Sequence, residues 1–204
     1  MILGFHLVFC AYGFWLPNDP RGSWSTYVGS RPLRQFGPAT KTSTRRSVAS
    51  HMHNHALRQQ AKTAMQLPPI LFTGLQAREI AKGFQKALTE SHYTTHACSI
   101  LPDHAHLVLT WHPHEARQII GHLKGRATQA LAAANLHPFA DLPEPHTPWA
   151  EGGWAVYLFD DADMRRAIQY VENNPLKENK PRQHWSFVTP YPSSAPRHAS
   201  MPAN

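Results

Sequence analysis

The chain switches between two hydrophobic periods, and the switches mark its elements. Leu3–Tyr12 (LGFHLVFCAY) is dense in aromatic and aliphatic residues and predicts a first strand. The next ten residues, Trp15–Trp24 (WLPNDPRGSW), are crowded with Pro, Gly, Asn and Asp and predict a shaped loop. Residues 28–68 hold neither period and predict an insertion, with a short helix near His55–Met65. Helical spacing then appears at Ala77, Ile80, Ala81, Phe84 and Leu88, predicting a helix over Leu75–Ser91. Thr94–Leu101 and His104–Trp111 read as two strands, split by the turn-forming Pro102-Asp103. Glu115–Leu136 repeats the helical stripe with Ile119, Ile120, Leu123, Ala127, Ala130 and Leu131. After a Pro-rich loop, His137–Gly153, comes a fourth strand, Trp154–Phe159. Asp160, Asp161 and Asp163 suit a helix N-terminus, and that helix runs to about Asn173, short of Pro175.

The order is β-α-β-β-α-β followed by a third helix. It predicts an α+β fold: a ferredoxin-like split β-α-β antiparallel sheet with helices on one face. To this are added a C-terminal helix and an insertion after the first strand. With 204 residues, one domain over residues 1–176 is expected, with a Pro-rich, loosely ordered tail over 177–204.

Composition adds little until the charge is placed. The formal net charge is +7, yet Pro20–Arg78 contains no Asp or Glu and nine of the 20 Lys+Arg residues. The remainder of the chain is slightly acidic. A local basic segment with interspersed Trp24, Tyr27 and Phe36 suits a phosphate backbone with bases stacked nearby, or else a solvated basic insertion. No run approaches the ~18 apolar residues of a membrane span. The apolar N-terminus lacks a basic leader and contains His6, so it reads as a strand rather than a signal peptide. Cys10 and Cys98 cannot make a disulfide framework, and reduced thiols in a cytoplasmic protein are expected.

Chemistry enters at Leu101-Pro-Asp-His-Ala-His-Leu-Val-Leu. On a strand, residues i and i+2 share a face, so His104 and His106 project side by side and can share a cation, or simply be two strand histidines. On the last helix the apolar stripe is Met164, Ala167, Ile168 and Val171. Tyr170 falls roughly 110° from its centre at ~100° per residue, with Asn174 one turn on. Asn174 before Pro175 also fits a helix cap. The triplet His51, His53, His55 lies in the insertion and is expected to be solvated.

A His-hydrophobic-His strand and a tyrosine on a later helix, in this order of elements, resemble the single-tyrosine HUH transposases. The WLPNDPRGSW segment resembles the WLPGDPRG-type segment of the REP-associated tyrosine transposases within that superfamily. AIQYVENNP resembles their tyrosine helix and HLKGRATQAL their basic middle helix. The resemblance spans most of residues 2–176 outside the insertion. It implies Tyr170 as nucleophile and His104, His106 and Asn174 as ligands of Mg²⁺ or Mn²⁺. Several relatives carry the longer Gln at the position of Asn174, and Asp103 stands where the family often has Asn. The implied activity is cleavage and rejoining of single-stranded DNA at stem-loops through a 5′-phosphotyrosine, in the cytoplasm at the nucleoid. Monomer and homodimer both remain open. Residues expected to contact DNA are Arg21, Arg31, Arg34, Arg45, Arg46, Lys124 and Arg126. The alternative is a non-catalytic nucleic-acid-binding protein on the same scaffold.

Overall fold

The fold is taken from a computed structural model, which describes residues 1–14, 16, 31–38, 54–144 and 146–192. Four strands form one sheet: β1 (Gly4–Cys10), β2 (Thr95–Ile100), β3 (His104–Thr110) and β4 (Trp154–Leu158). Its order is β2-β3-β1-β4, and every pairing is antiparallel. Four helices accompany it: α1 (His55–Thr63), α2 (Gly74–Glu90), α3 (Ala116–Ala133) and α4 (Asp161–Asn173). This is the ferredoxin-like α+β arrangement that the order of periods predicts, with element ends within about three residues of expectation.

Strand alternation assigns the two faces. Phe5, Leu7 and Phe9 of β1 and Ala105, Leu107 and Leu109 of β3 point into the main core beneath α2 and α3. Phe84, Ile119 and Leu123 meet them there, and Trp149 packs edge-on to Phe9. The intervening positions face the other way. Ala97 and Val108 on that side form a second, smaller core with Met164, Ala167 and Val171 of α4. The α4 helix is therefore laid across the face that α2 and α3 leave open, and residues such as His6 and His106 lie beneath it.

The close approach of α2 and α3 depends on Gly83. A Cβ there would lie 2.5 Å from Ala127 Cα and 2.6 Å from Arg126 O, both backbone atoms that cannot turn aside. Gly121, also helical, has open space around it. Alanine is ordinarily better than glycine in a helix by about 1 kcal/mol. Gly121→Ala is therefore expected to raise the melting temperature slightly. Gly83→Ala is expected to lower it, by about 5 °C or more, since overpacking costs about 1–3 kcal/mol. Thermal unfolding followed by circular dichroism reads both.

Two expectations change. The insertion is not wholly unpatterned: a 3-10 turn at Arg31–Phe36 packs with α1, and Leu33, Ala61 and Leu16 make a small core of their own. The tail expected to be loose is well packed as far as Pro192. Gln183 Nε2 donates to Ile100 O while Ile100 N–H donates to Gln183 Oε1, each at 2.7 Å. Val188 forms a parallel bridge with Thr95, and Trp185 and Phe187 pack against the main core. Proline richness lowers helix and strand propensity but does not prevent a chain from covering a sheet edge, which is what this segment does for β2.

Candidate active site

The site begins with the Pro102-Asp103 turn. Leu101 N–H donates to His104 O at 2.8 Å, a tight hairpin that launches β3 with His104 as its first residue. From there the two-residue period puts His104 and His106 on the α4 side, with ring centroids 4.8 Å apart. β1 lies beside β3 with His6 opposite Val108, so His6 is the diagonal neighbour of His106 on the same face. Their rings bond directly, His6 Nε2 to His106 Nδ1 at 3.0 Å.

The α4 helix brings the other half. Asp160 caps its start by accepting from Asp163 N–H at 2.7 Å, and Asp161 and Asp163 fill the first turn, as the triple aspartate predicts. Tyr170 is 45% exposed, and its ring lies 5.7 Å from both the His6 and the His106 rings. Asn174, at 6% exposure, approaches His104 Nε2 with its amide at 3.3 Å. All four residues of the predicted catalytic and metal set, His104, His106, Tyr170 and Asn174, thus meet on one face. Asn174 also ends the helix through its backbone, but its side chain is turned to His104 rather than to a cap.

Each of the two imidazoles has its Nδ1 held. His104 Nδ1 is 2.5 Å from Asp103 Oδ1, and His106 Nδ1 is held by His6. That leaves Nε2 of each as the nitrogen available to a cation, the pattern in which a neighbour fixes ring orientation and tautomer. An Asn174 amide turned over would present Oδ1 where Nδ2 now stands. Two imidazoles and an amide oxygen form a donor set that suits Mn²⁺ well and Mg²⁺ adequately, so the residues present fit such an ion.

Burial disfavours the charged forms of His6 and His106. Burial lowers His6 to about 4, and His106 is held well below its ordinary value, first by burial and then by charges on His104, His6 and Lys177. Burial also raises Tyr170. The sign for stability follows. The unfolded chain takes up these protons near pH 6.5, whereas the folded chain resists until about 4 for His6, so acid favours unfolding. The protein is expected to lose stability as pH falls from about 6.5 to about 4, by about 3 kcal/mol from His6 alone. Denaturant titrations at pH 7 and pH 4.5 measure this, and His6→Gln is expected to shrink the difference.

Three further residues stand at the site without having been singled out beforehand. His6 could have been found from the alternation of β1 combined with the sheet order. Lys177 and Glu178 lie on a 3-10 turn, Pro175–Glu178, which continues directly from α4 and closes at Asn179 in the left-handed region (φ 55°). The turn carries Lys177 Nζ to 3.8 Å from the centre of the Tyr170 ring. It also brings Glu178 close to Asp103 and His104. Nothing in hydrophobic period marks a 3-10 turn of this kind.

The chain is similar to two solved structures. One is a REP-associated tyrosine transposase bound to a REP hairpin, at 12% identity and a TM-score of 0.45, covering 86% of this chain and 68% of that one. The other is a candidate transposase from Deinococcus radiodurans R1, at 14% identity and a TM-score of 0.37, covering 85% of this chain and 91% of that one. No protein-family model matches the sequence, and no curated protein matches it.

The predicted DNA contacts are more dispersed. Lys124 and Arg126 sit on α3, in the layer on the far side of the sheet from the histidines. Lys124 Nζ donates to Ala150 O at 2.8 Å and to Gly152 O, and burial lowers it to about 8. Arg126 pairs with Glu90 at 2.6 Å. Arg34 is exposed on the 3-10 turn of the insertion, and Arg31 begins that turn. Arg21, Arg45 and Arg46, like His51 and His53, lie outside the described residues. Among the described residues, no helix is long and apolar enough to cross a membrane.

Proposed function

We propose that this protein is a metal-dependent endonuclease and strand transferase of the transposase kind, acting on single-stranded DNA at stem-loops. The observation that carries the proposal is the grouping on one face of a half-exposed phenol, Tyr170, with His106, His104 and Asn174. A nucleophile beside two imidazoles and an amide is the equipment for attack on a phosphodiester.

Tyr170 Oη attacks phosphorus, the bond to the 3′-oxygen breaks, and the 5′ end remains on the enzyme as a phosphotyrosine. The leaving 3′-oxygen takes up a proton and the phenol gives one up to solvent. His104, His106 and Asn174 would hold a divalent cation, which when bound would withdraw charge from the phosphate oxygens as a Lewis acid. His6 and Asp103 keep the two imidazoles in the ligating orientation. Lys177, over the ring, lowers the cost of placing negative charge on the phenol, which burial otherwise raises. The phosphodiester character of the link allows a 3′-OH to attack it later and rejoin strands without a nucleotide cofactor. Arg21, Arg31, Arg34, Arg45 and Arg46 bind the backbone of the same strand, with Lys124 and Arg126 as further contacts on the distal layer.

The test is incubation with labelled single-stranded stem-loop DNA and Mn²⁺, followed by denaturing electrophoresis. A covalent protein–DNA adduct is expected with Mn²⁺, weaker at high salt and absent with a chelator. DNA binding without any adduct, under either metal, would instead establish the non-catalytic binder.

A further inference from the structure

One group of side chains around His104 is richer in charge than the proposed function requires. Asp103, His104 and Glu178 each offer one ligand atom, and these atoms all lie within 4.8 Å of one another. Donors on opposite sides of a Mn²⁺ or Mg²⁺ ion stand about 4.2–4.4 Å apart, at roughly 2.1–2.2 Å from the metal. Adjacent donors on one such ion stand about 3 Å apart, so sharing one ion takes a side-chain movement of about 1–2 Å. The three come from two separate places, the β2–β3 turn and the 3-10 turn after α4, so the fold itself assembles them.

His104 uses Nδ1 on Asp103 and meets the Asn174 amide at Nε2, the nitrogen that a cation would take. Glu178 gives Oε2 to Lys180 at 3.0 Å, leaving Oε1. A second observation points the same way. Asn174, nine-tenths buried, aims its amide at His104 Nε2 from the turn that immediately precedes Glu178. His104 is thus the hub at which a carboxylate turn, a buried amide and a second carboxylate converge.

We propose that Glu178 is a ligand of the cation bound at His104, with Asp103 fixing the imidazole from behind. The inference rests on the proposed metal-dependent reading of the same site and adds a carboxylate to its donor set. A hard, negatively charged oxygen beside imidazole shifts the site away from Zn²⁺ and toward Mn²⁺ and Mg²⁺. Lys180, paired with Glu178 at 3.0 Å, offsets the charge of that carboxylate.

Isothermal titration of the full chain with MnCl₂ alone, without DNA, tests the proposal, with Mn²⁺ electron paramagnetic resonance as a second readout. Wild type is expected to bind one Mn²⁺ and His104→Ala to lose it. Glu178→Gln is expected to weaken binding at least tenfold and to move the Mn²⁺-to-Zn²⁺ preference toward zinc. Lys180→Met, which removes the ion pair but keeps the carboxylate, is expected to bind Mn²⁺ as well as or better than wild type. Glu172→Gln, on the exposed side of α4, is expected to change nothing, and circular dichroism verifies that each variant is folded. Wild-type affinity in Glu178→Gln, with binding still lost in His104→Ala, overturns the Glu178 assignment and leaves the metal-dependent reading standing. No Mn²⁺ binding by wild type overturns both.

Discussion

Tyr170→Phe is expected to abolish the covalent adduct with stem-loop DNA, by a factor of at least about 10³, while leaving the protein folded and able to bind that DNA. The hydroxyl is the only atom removed. The ring keeps its contacts with His6 and His106 at 5.7 Å and its place beneath Lys177. Tyr170 is 45% exposed, so the missing hydroxyl leaves no buried cavity and stability should change little. A factor of 10³ corresponds to about 4 kcal/mol of activation free energy, a modest figure for loss of the attacking atom itself. The measurement is adduct yield against time on denaturing gels, beside a filter-binding curve for the same DNA. An adduct formed at the wild-type rate by Tyr170→Phe would remove the nucleophile assignment. Loss of DNA binding together with the adduct would make Tyr170 a stacking platform rather than a nucleophile.

His106→Ala is the second large effect, expected to lower Mn²⁺-dependent cleavage by a factor of about 10² to 10³, with His104→Ala similar. Their ligand roles differ in what surrounds them. His106 is 5% exposed and is held by His6, so its removal leaves His6 Nε2 without that partner and costs some stability as well. His104 is half-buried at the mouth, bonded to Asp103 and approached by Asn174, so its removal perturbs the site more than the fold. Because both would serve one ion, the double variant should be little worse than either single variant, the non-additivity expected of residues acting as a unit. Cleavage rates over a range of Mn²⁺ concentrations check this: each single variant should need more metal, and losses that multiply would argue for separate roles. Cleavage unaffected by the double substitution would eliminate the metal site.

The strand Leu3–Tyr12 and the helix Leu75–Ser91 were legible because each buries one regular face, and a regular face leaves a period. His104 and His106 were legible for the same reason, since two-residue spacing on a strand fixes a shared face whatever lies opposite. Helical geometry put Tyr170 and Asn174 one turn apart at the border of the apolar stripe, and only the family resemblance gave them roles. The segment from Lys177 to Pro192 was not legible because its contacts are long-range bonds, Gln183 to Ile100 and Val188 beside Thr95, that no local pattern announces. The basic segment between Pro20 and Arg78 was legible as charge, but where its arginines meet DNA depends on placement rather than composition.

By itself, then, the sequence determined the order of elements, the two faces of each strand, and the residue types able to ligate a cation and attack a phosphate. Those are properties of neighbours along the chain, set by backbone geometry and burial. Only the tertiary structure decided which faces meet. It placed β1 beside β3, so that His6 holds His106, and it laid α4 over the face opposite the main core, so that Tyr170 comes to the histidines. It also folded Pro175–Glu178 back over the site, bringing Lys177 over the Tyr170 ring and Glu178 to residues some seventy positions earlier. Such contacts are selected by how two cores close on one sheet, a condition on the whole chain that no single segment carries.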